Sequence, residues 1–223
     1  MILSCVDLAK TYAAERGKIE AVKGIDFEMR AGEFASIVGR SGSGKSSFLA
    51  MIGGLSRPSR GSVRVEDPDL WTLSDDRLSE FRNRRIGFVY QFASLLPTLR
   101  IIDNVVLPAR LDPAQDAPAA YRRAREWLDR FALSEYLDAY PSEISSGEQR
   151  RAVVARALIN EPGLLLADEP TSDLDEVTEG QIMDLFRGLN RERNLTLIMV
   201  THNLRLAEQT DRVFHIADGG LAA

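Results

Sequence analysis

The run Gly39-Arg40-Ser41-Gly42-Ser43-Gly44-Lys45-Ser46 stands between an apolar segment, Phe34-Ala35-Ser36-Ile37-Val38, and the helix-like pattern that starts at Ser47. A G-x-x-x-x-G-K-S sequence in that setting demands a strand, a tight turn and a helix, in that order. The glycines let backbone N–H groups close around phosphate oxygens, and the helix aims the positive end of its dipole at the same anion. Lys45 is placed to reach the β- and γ-phosphates as a point charge, and the Ser46 hydroxyl to meet Mg²⁺. The loop specifies the ligand class. Which nucleotide binds, and what its energy drives, it leaves open.

The rest of the chain supports an α/β fold. Short β-branched runs bounded by turn residues occur at 2–8, 25–29, 34–38, 62–65, 86–90, 164–167, 195–200 and 213–216. The continuous apolar runs at 164–167 and 195–200 read as strands buried on both faces, hence a mainly parallel sheet covered by helices. Helices are expected at 47–55 and at 176–191, the latter with Val177, Ile182, Leu185 and Leu189 on one stripe. From 92 to 160 almost nothing reads as strand, whereas 121–131, 134–139 and 147–160 read as helical, so a helical lobe is expected within the α/β core. The polar stretch Asp112–Ala117 reads as an exposed loop.

Composition closes off several classes. The 223 residues allow one substantial core with an inserted lobe, and 28 Lys+Arg against 33 Asp+Glu leave a net charge of −5, which disfavours nucleic acid as a partner. The single Cys5 excludes a disulfide framework and reads as a buried strand residue. No segment approaches the roughly 18 apolar residues of a membrane span, so no direct membrane insertion is expected.

Other residues carry chemistry. Leu164-Leu165-Leu166-Ala167-Asp168-Glu169 delivers two adjacent carboxylates from a buried strand, and strand alternation would let them divide two tasks. Asp168 is suited to hold Mg²⁺ through water, and Glu169 to polarise a water for attack on the γ-phosphate. Ser145-Ser146-Gly147-Glu148 has the form of a helix capping box.

Taken together, Ile144-Ser145-Ser146-Gly147-Glu148-Gln149-Arg150-Arg151, Gln91 after a strand, Asp168-Glu169, Ser172-Asp173-Leu174-Asp175 and His202 resemble, in order and spacing, the motif set of ABC ATPases over essentially the whole chain. The resemblance implies one ABC ATPase domain over 1–223, with a P-loop NTPase core, an N-terminal antiparallel β region and a helical subdomain at 92–160. It implies ATP hydrolysis by a head-to-tail dimer with two ATP molecules sandwiched between protomers. Each would sit on the loop of one chain (Gly39, Arg40, Ser41, Gly42, Ser43, Gly44, Lys45, Ser46, Ser47) and face Ser145, Ser146, Gly147 and Glu148 of the other. Tyr12 would stack on adenine, Ser46, Gln91 and Asp168 would bind Mg²⁺, and Glu169, His202 and Gln91 would serve catalysis. Ser172 and Asp175 would lie in the segment crossing the dimer interface.

Three positions depart from the family pattern. Ser146 replaces a usual glycine, and if that position needs positive φ a Cβ there slows closure. Arg40 and Asp173 add charge near the expected seam. The segments 17–26, 73–91 and 96–108 resemble the branch that serves lipoprotein release, macrolide or peptide export and cell-division signalling. That branch implies a permease in the inner membrane, this subunit lying peripherally on its cytoplasmic face, and residues 92–97 either docking a partner helix or burying Leu95 and Leu96 in the core. A signalling ATPase without transport is the alternative function. A small-molecule P-loop kinase would have no purpose for Ser145–Glu148.

Overall fold

The computed structural model describes residues 1–14, 17–92 and 94–222. The chain opens as a long antiparallel ribbon of β1 (Leu3–Ala14) and β2 (Gly17–Met29), then enters β3 (Phe34–Val38) and α1 (Lys45–Ile52). The next strand, β4 (Arg60–Val65), pairs with the free edge of β1, completing a three-stranded antiparallel sheet. The ribbon extends beyond the expected strand at 25–29 because burial reaches back only through Ile25, Phe27 and Met29 to Val22, whereas Gly17–Glu20 is exposed on both faces and shows no alternation.

After α2 (Asp75–Arg85) and β5 (Ile86–Val89) come α3 (Ile101–Arg110), α4 (Ala117–Arg130) and α5 (Ser146–Leu158). The chain returns through β6 (Leu164–Asp168), α6 (Glu176–Arg193), β7 (Thr196–Val200), the short α7 (Leu204–Ala207), β8 (Arg212–Ala217) and β9 (Gly220–Ala222). The second sheet has the order β5-β6-β7-β3-β8-β9, parallel except for the hairpin strand β9.

Strand alternation divides the core in two. Leu165, Ala167, Leu197 and Met199 face α3, α4, α5 and α6, while Leu164, Leu166, Ile198 and Val200 face α1 and the antiparallel sheet. Cys5 is buried in that second cluster as a free thiol whose pKa burial pushes up.

Several elements differ from expectation for local reasons. The helix of the phosphate loop runs 45–52 and not 47–55, because Gly53 caps it and Gly54 turns at φ 69. Segment 134–139 is a single 3₁₀ turn at Ser134–Tyr136. The carbonyls of Leu137 and Ala139, which a longer helix would use, accept the N–H groups of Ile102 and Ile101 at the start of α3. Asp112 is not in an exposed loop. It is 7% exposed and accepts a bidentate pair from Arg84 (2.7 and 2.9 Å) plus the Ala114 N–H. Ala117 and Pro118 are helical, with Asp116 as cap and Pro118 in the first turn. On α6 the buried stripe is Ile182, Met183, Phe186 and Leu189, while Val177 is 72% exposed.

Candidate active site

β3 ends at Val38, and the chain reaches α1 through a turn whose last residue, Gly44, caps the helix at φ 105, ψ 0. A Cβ at Gly44 would lie 2.1 Å from the Ala21 carbonyl oxygen, so both the left-handed backbone and the close approach of β2 require glycine. No side chain caps α1, and its first N–H groups remain available to an anion. Lys45 is buried, with its ammonium donating to the carbonyls of Gly39 (2.8 Å) and Arg40 (3.0 Å).

A cleft of about 390 Å³ gathers the residues that sequence order alone scatters. Ser41, Gly42, Gly44, Lys45, Ser46 and Ser47 come from the loop and α1, Gln91 from just beyond β5, Asp168 and Glu169 from the end of β6, and His202 from beyond β7. All sit at the carboxyl ends of parallel strands, where open α/β sheets bind ligands. Ala21 and Val200 also line the cleft. Nothing in the sequence marks Ala21, which only the packing of the ribbon brings there. Gly39, Arg40 and Ser43, with parts of the same loop, line a separate cavity of about 570 Å³ beside His215 and Asp218. Tyr12 stays at the rim, where its hydroxyl is 3.3 Å from Ser47 Oγ and the Lys10 ammonium lies 5.1 Å from the centre of its ring.

The two carboxylates do not separate by strand alternation. Asp168 is the last residue of β6, whereas Glu169 has left the strand at φ 46, a left-handed conformation costing about 1–3 kcal/mol in a non-glycine residue. Both therefore face the same cleft. Glu169 N–H donates to the Val200 carbonyl (2.9 Å), and its Oε2 accepts the His202 N–H (3.4 Å) and lies 3.0 Å from His202 Nδ1. Burial raises the Asp168 pKa and the Glu169 charge adds to the rise, while a hydrogen bond from Ser46 and the Lys45 charge oppose it. Ser46, Asp168 and Gln91 present only oxygen and amide groups to the cleft. Such hard oxygen donors, with few carboxylates, fit Mg²⁺ that shares its shell with phosphate and water.

Ser145, Ser146, Gly147 and Glu148 do not line this cleft. They begin α5, where the Ser145 hydroxyl accepts the Glu148 N–H (3.3 Å) and the Glu148 carboxylate accepts the Ser145 N–H (2.7 Å) and hydroxyl (2.8 Å). Ser146 is the first helical residue and has no positive φ, so its Cβ carries no backbone strain. Gly147 is the position without room, since a Cβ would meet Thr178 Cγ2 at 2.9 Å. Asp175 caps α6 through the N–H groups of Val177 and Thr178, and the Ser172 hydroxyl donates to the Glu169 carbonyl (3.0 Å).

The Ser145 N–H, foremost among its hydrogen bonds, holds the Glu148 pKa below the usual carboxylate value. The folded pKa is depressed, so this contribution to stability is present above the unfolded value of ~4.3 and lost as pH falls through the folded pKa. In Glu148→Gln that part of the acid-side slope in unfolding free energy should vanish. Ser145→Ala should cost about 1 kcal/mol at neutral pH, measured by urea unfolding.

Comparison with known proteins gives a consistent result. Residues 22–172 match the family described as ABC transporter. The chain is 42% identical over 222 residues to the lipoprotein-releasing system ATP-binding protein LolD of Pseudomonas fluorescens, covering 100% of this chain and 97% of that protein. It is equally 42% identical over 218 residues to the protein of the same name in Myxococcus xanthus, covering 98% and 97%. The solved dimeric ATP-binding cassette MJ0796, bound to ADP and Pi, superposes with a TM-score of 0.91 at 36% identity, covering 99% of this chain and 97% of that one. With the phosphate loop, the carboxylates and His202 in one cleft of this shape, the chain belongs to the ABC transporter family as an ATP-binding and ATP-hydrolysing domain.

Proposed function

We propose that this chain drives a lipoprotein-releasing or closely related export system, closing head to tail with a second copy around two ATP molecules and passing the motion to an integral membrane permease. The carrying observation is that one chain's cleft holds the groups for hydrolysis but lacks its own Ser145–Glu148. A second chain's α5 would supply that helix start to the γ-phosphate, adding the Ser145 hydroxyl and backbone N–H groups to the first chain's loop. The dimeric form of the related MJ0796 cassette and the names of the LolD relatives support this reading.

Within the site, the loop N–H groups and Lys45 bind the phosphates, and Tyr12 at the rim stacks on adenine. Ser46, Gln91 and Asp168 would hold Mg²⁺, which when bound neutralises charge on the β- and γ-phosphate oxygens. Gln91 orients the attacking water, Glu169 takes its proton, and His202 holds the Glu169 carboxylate in place. Ser172 and Asp175 place their segment at the seam between copies.

The permease would meet the surface next to Gln91. Phe92 is 72% exposed and Leu96 44%, and a groove of about 360 Å³ lined by Tyr90, Leu107 and Leu111 lies close by. Leu95 packs on the core, and Ala93 lies outside the described residues. Among the described residues no helix is long and apolar enough to cross a membrane, and the chain would sit peripherally on the cytoplasmic face of the inner membrane through this contact.

Tagged chain should retain a multi-span permease from a detergent extract of the host membrane, and Phe92→Glu together with Leu111→Glu should cut retention about tenfold. Reconstituted with that permease, the wild type should release a lipoprotein from vesicles when ATP is added. Equal retention by the substituted chain removes the docking surface, and ATP turnover without any release favours the signalling alternative.

A further inference from the structure

Arg150 is 5% exposed, yet among the described residues it forms no ion pair. Its guanidinium instead reaches sideways from α5 and donates to two consecutive backbone carbonyls, Tyr90 (2.6 Å) and Gln91 (2.6 Å), leaving Nε without a partner. Six residues further along α5, Arg156 holds the next stretch in a similar way, donating to the Ser94 carbonyl (2.8 Å) and hydroxyl (2.8 Å). A buried cation is costly to desolvate, and here carbonyl oxygens supply its only direct hydrogen bonds among the described residues. Only a planar fork spans two neighbouring carbonyls with two short, charge-assisted bonds, which a lysine ammonium on a flexible stem does not reproduce. Asp173, in the segment between β6 and α6, supplies the carboxylate charge that Arg150 feels through space.

We propose that Arg150 is a positioning residue that ties the main chain of Gln91 to α5, so that Gln91 enters the cleft in register with the helix start at Ser145–Gly147. Arg156 extends the tie to Ser94. Because Ser145–Gly147 would meet the other copy's nucleotide, the tie makes the placement of Gln91 in one cleft depend on engagement at the second. The inference rests on the reading of Gln91 given above and deepens it.

The test is a double-mutant cycle on ATP hydrolysis by the full chain, with Gln91→Ala, Arg150→Met and both together. Arg150→Met should lower kcat about tenfold, as small misplacements of a catalytic group do, with KM for ATP changed less than about twofold. Arg150→Lys should fall short of wild-type kcat in the same direction, and the substitution at 150 should have no further effect once Gln91 is alanine. Additive losses, a loss confined to KM, or wild-type kcat in Arg150→Met beside a slow Gln91→Ala overturns the role of Arg150 alone. Wild-type kcat in Gln91→Ala instead removes the reading of Gln91, and the tie with it. If Arg150→Met does not fold, Arg150→Gln, whose amide still donates to a carbonyl, takes its place in the same cycle.

Discussion

Glu169→Gln should bind ATP as tightly as the wild type while its turnover falls by at least about 100-fold, the usual scale for removing a general base. The carboxamide keeps the size of the side chain and can still meet the His202 N–H that approaches Glu169 Oε2 at 3.4 Å. What it loses is a group able to accept the proton of the attacking water. With hydrolysis blocked, ATP remains between the two copies, and light scattering should show a dimer in ATP and a monomer in ADP. Ligand held by the folded state alone also raises the unfolding midpoint, so ATP should stabilise this variant more than it does the wild type. Turnover near the wild-type rate would show that Glu169 is not the base.

Lys45→Ala should weaken ATP binding by about 100-fold, or ~3 kcal/mol, with a smaller loss for ADP. The residue is 8% exposed and its ammonium is already held by the Gly39 and Arg40 carbonyls, so its charge would be delivered to the phosphates with little conformational freedom left to lose. Titration calorimetry on both nucleotides would separate this from general loosening of the loop, which would weaken ATP and ADP equally. Equal losses for the two would remove Lys45 from the γ-phosphate.

The parts of this fold legible in the sequence are those whose burial is complete. β6 and β7 are almost wholly apolar because helices or sheet cover both faces, and the loop at 39–46 carries its conformation in its glycines. The outer half of β2 was not legible, since Gly17–Glu20 is exposed on both sides and has no alternation to show. Nor was α2, whose one buried residue is Leu78. Its signal lay in charge, with Asp75 and Asp76 in the first turn and Arg82, Arg84 and Arg85 in the last, as the helix dipole favours. Pro118 misled in the other direction, because a proline in the first turn opens a helix as readily as it ends one.

The candidate site divides along the same line. Sequence alone determined which chemical groups the chain owns and the order in which it offers them: the phosphate loop, Gln91, the capped start at Ser145, the carboxylates Asp168 and Glu169, and His202. Those follow from local rules, in which glycine conformation, helix caps and buried strands act over a few residues. Tertiary structure alone decided which of these groups meet. Parallel pairing of β5, β6, β7 and β3 brings Gln91, Glu169, His202 and Lys45 to the carboxyl end of one sheet, although 111 residues of chain, from 91 to 202, separate the first of these from the third. It also turned Glu169 out of the strand at φ 46 so that both carboxylates share a cleft, and set Arg150 against the Tyr90 and Gln91 carbonyls. Such contacts depend on crossover connections and on packing between distant elements, and no local pattern of residues encodes them.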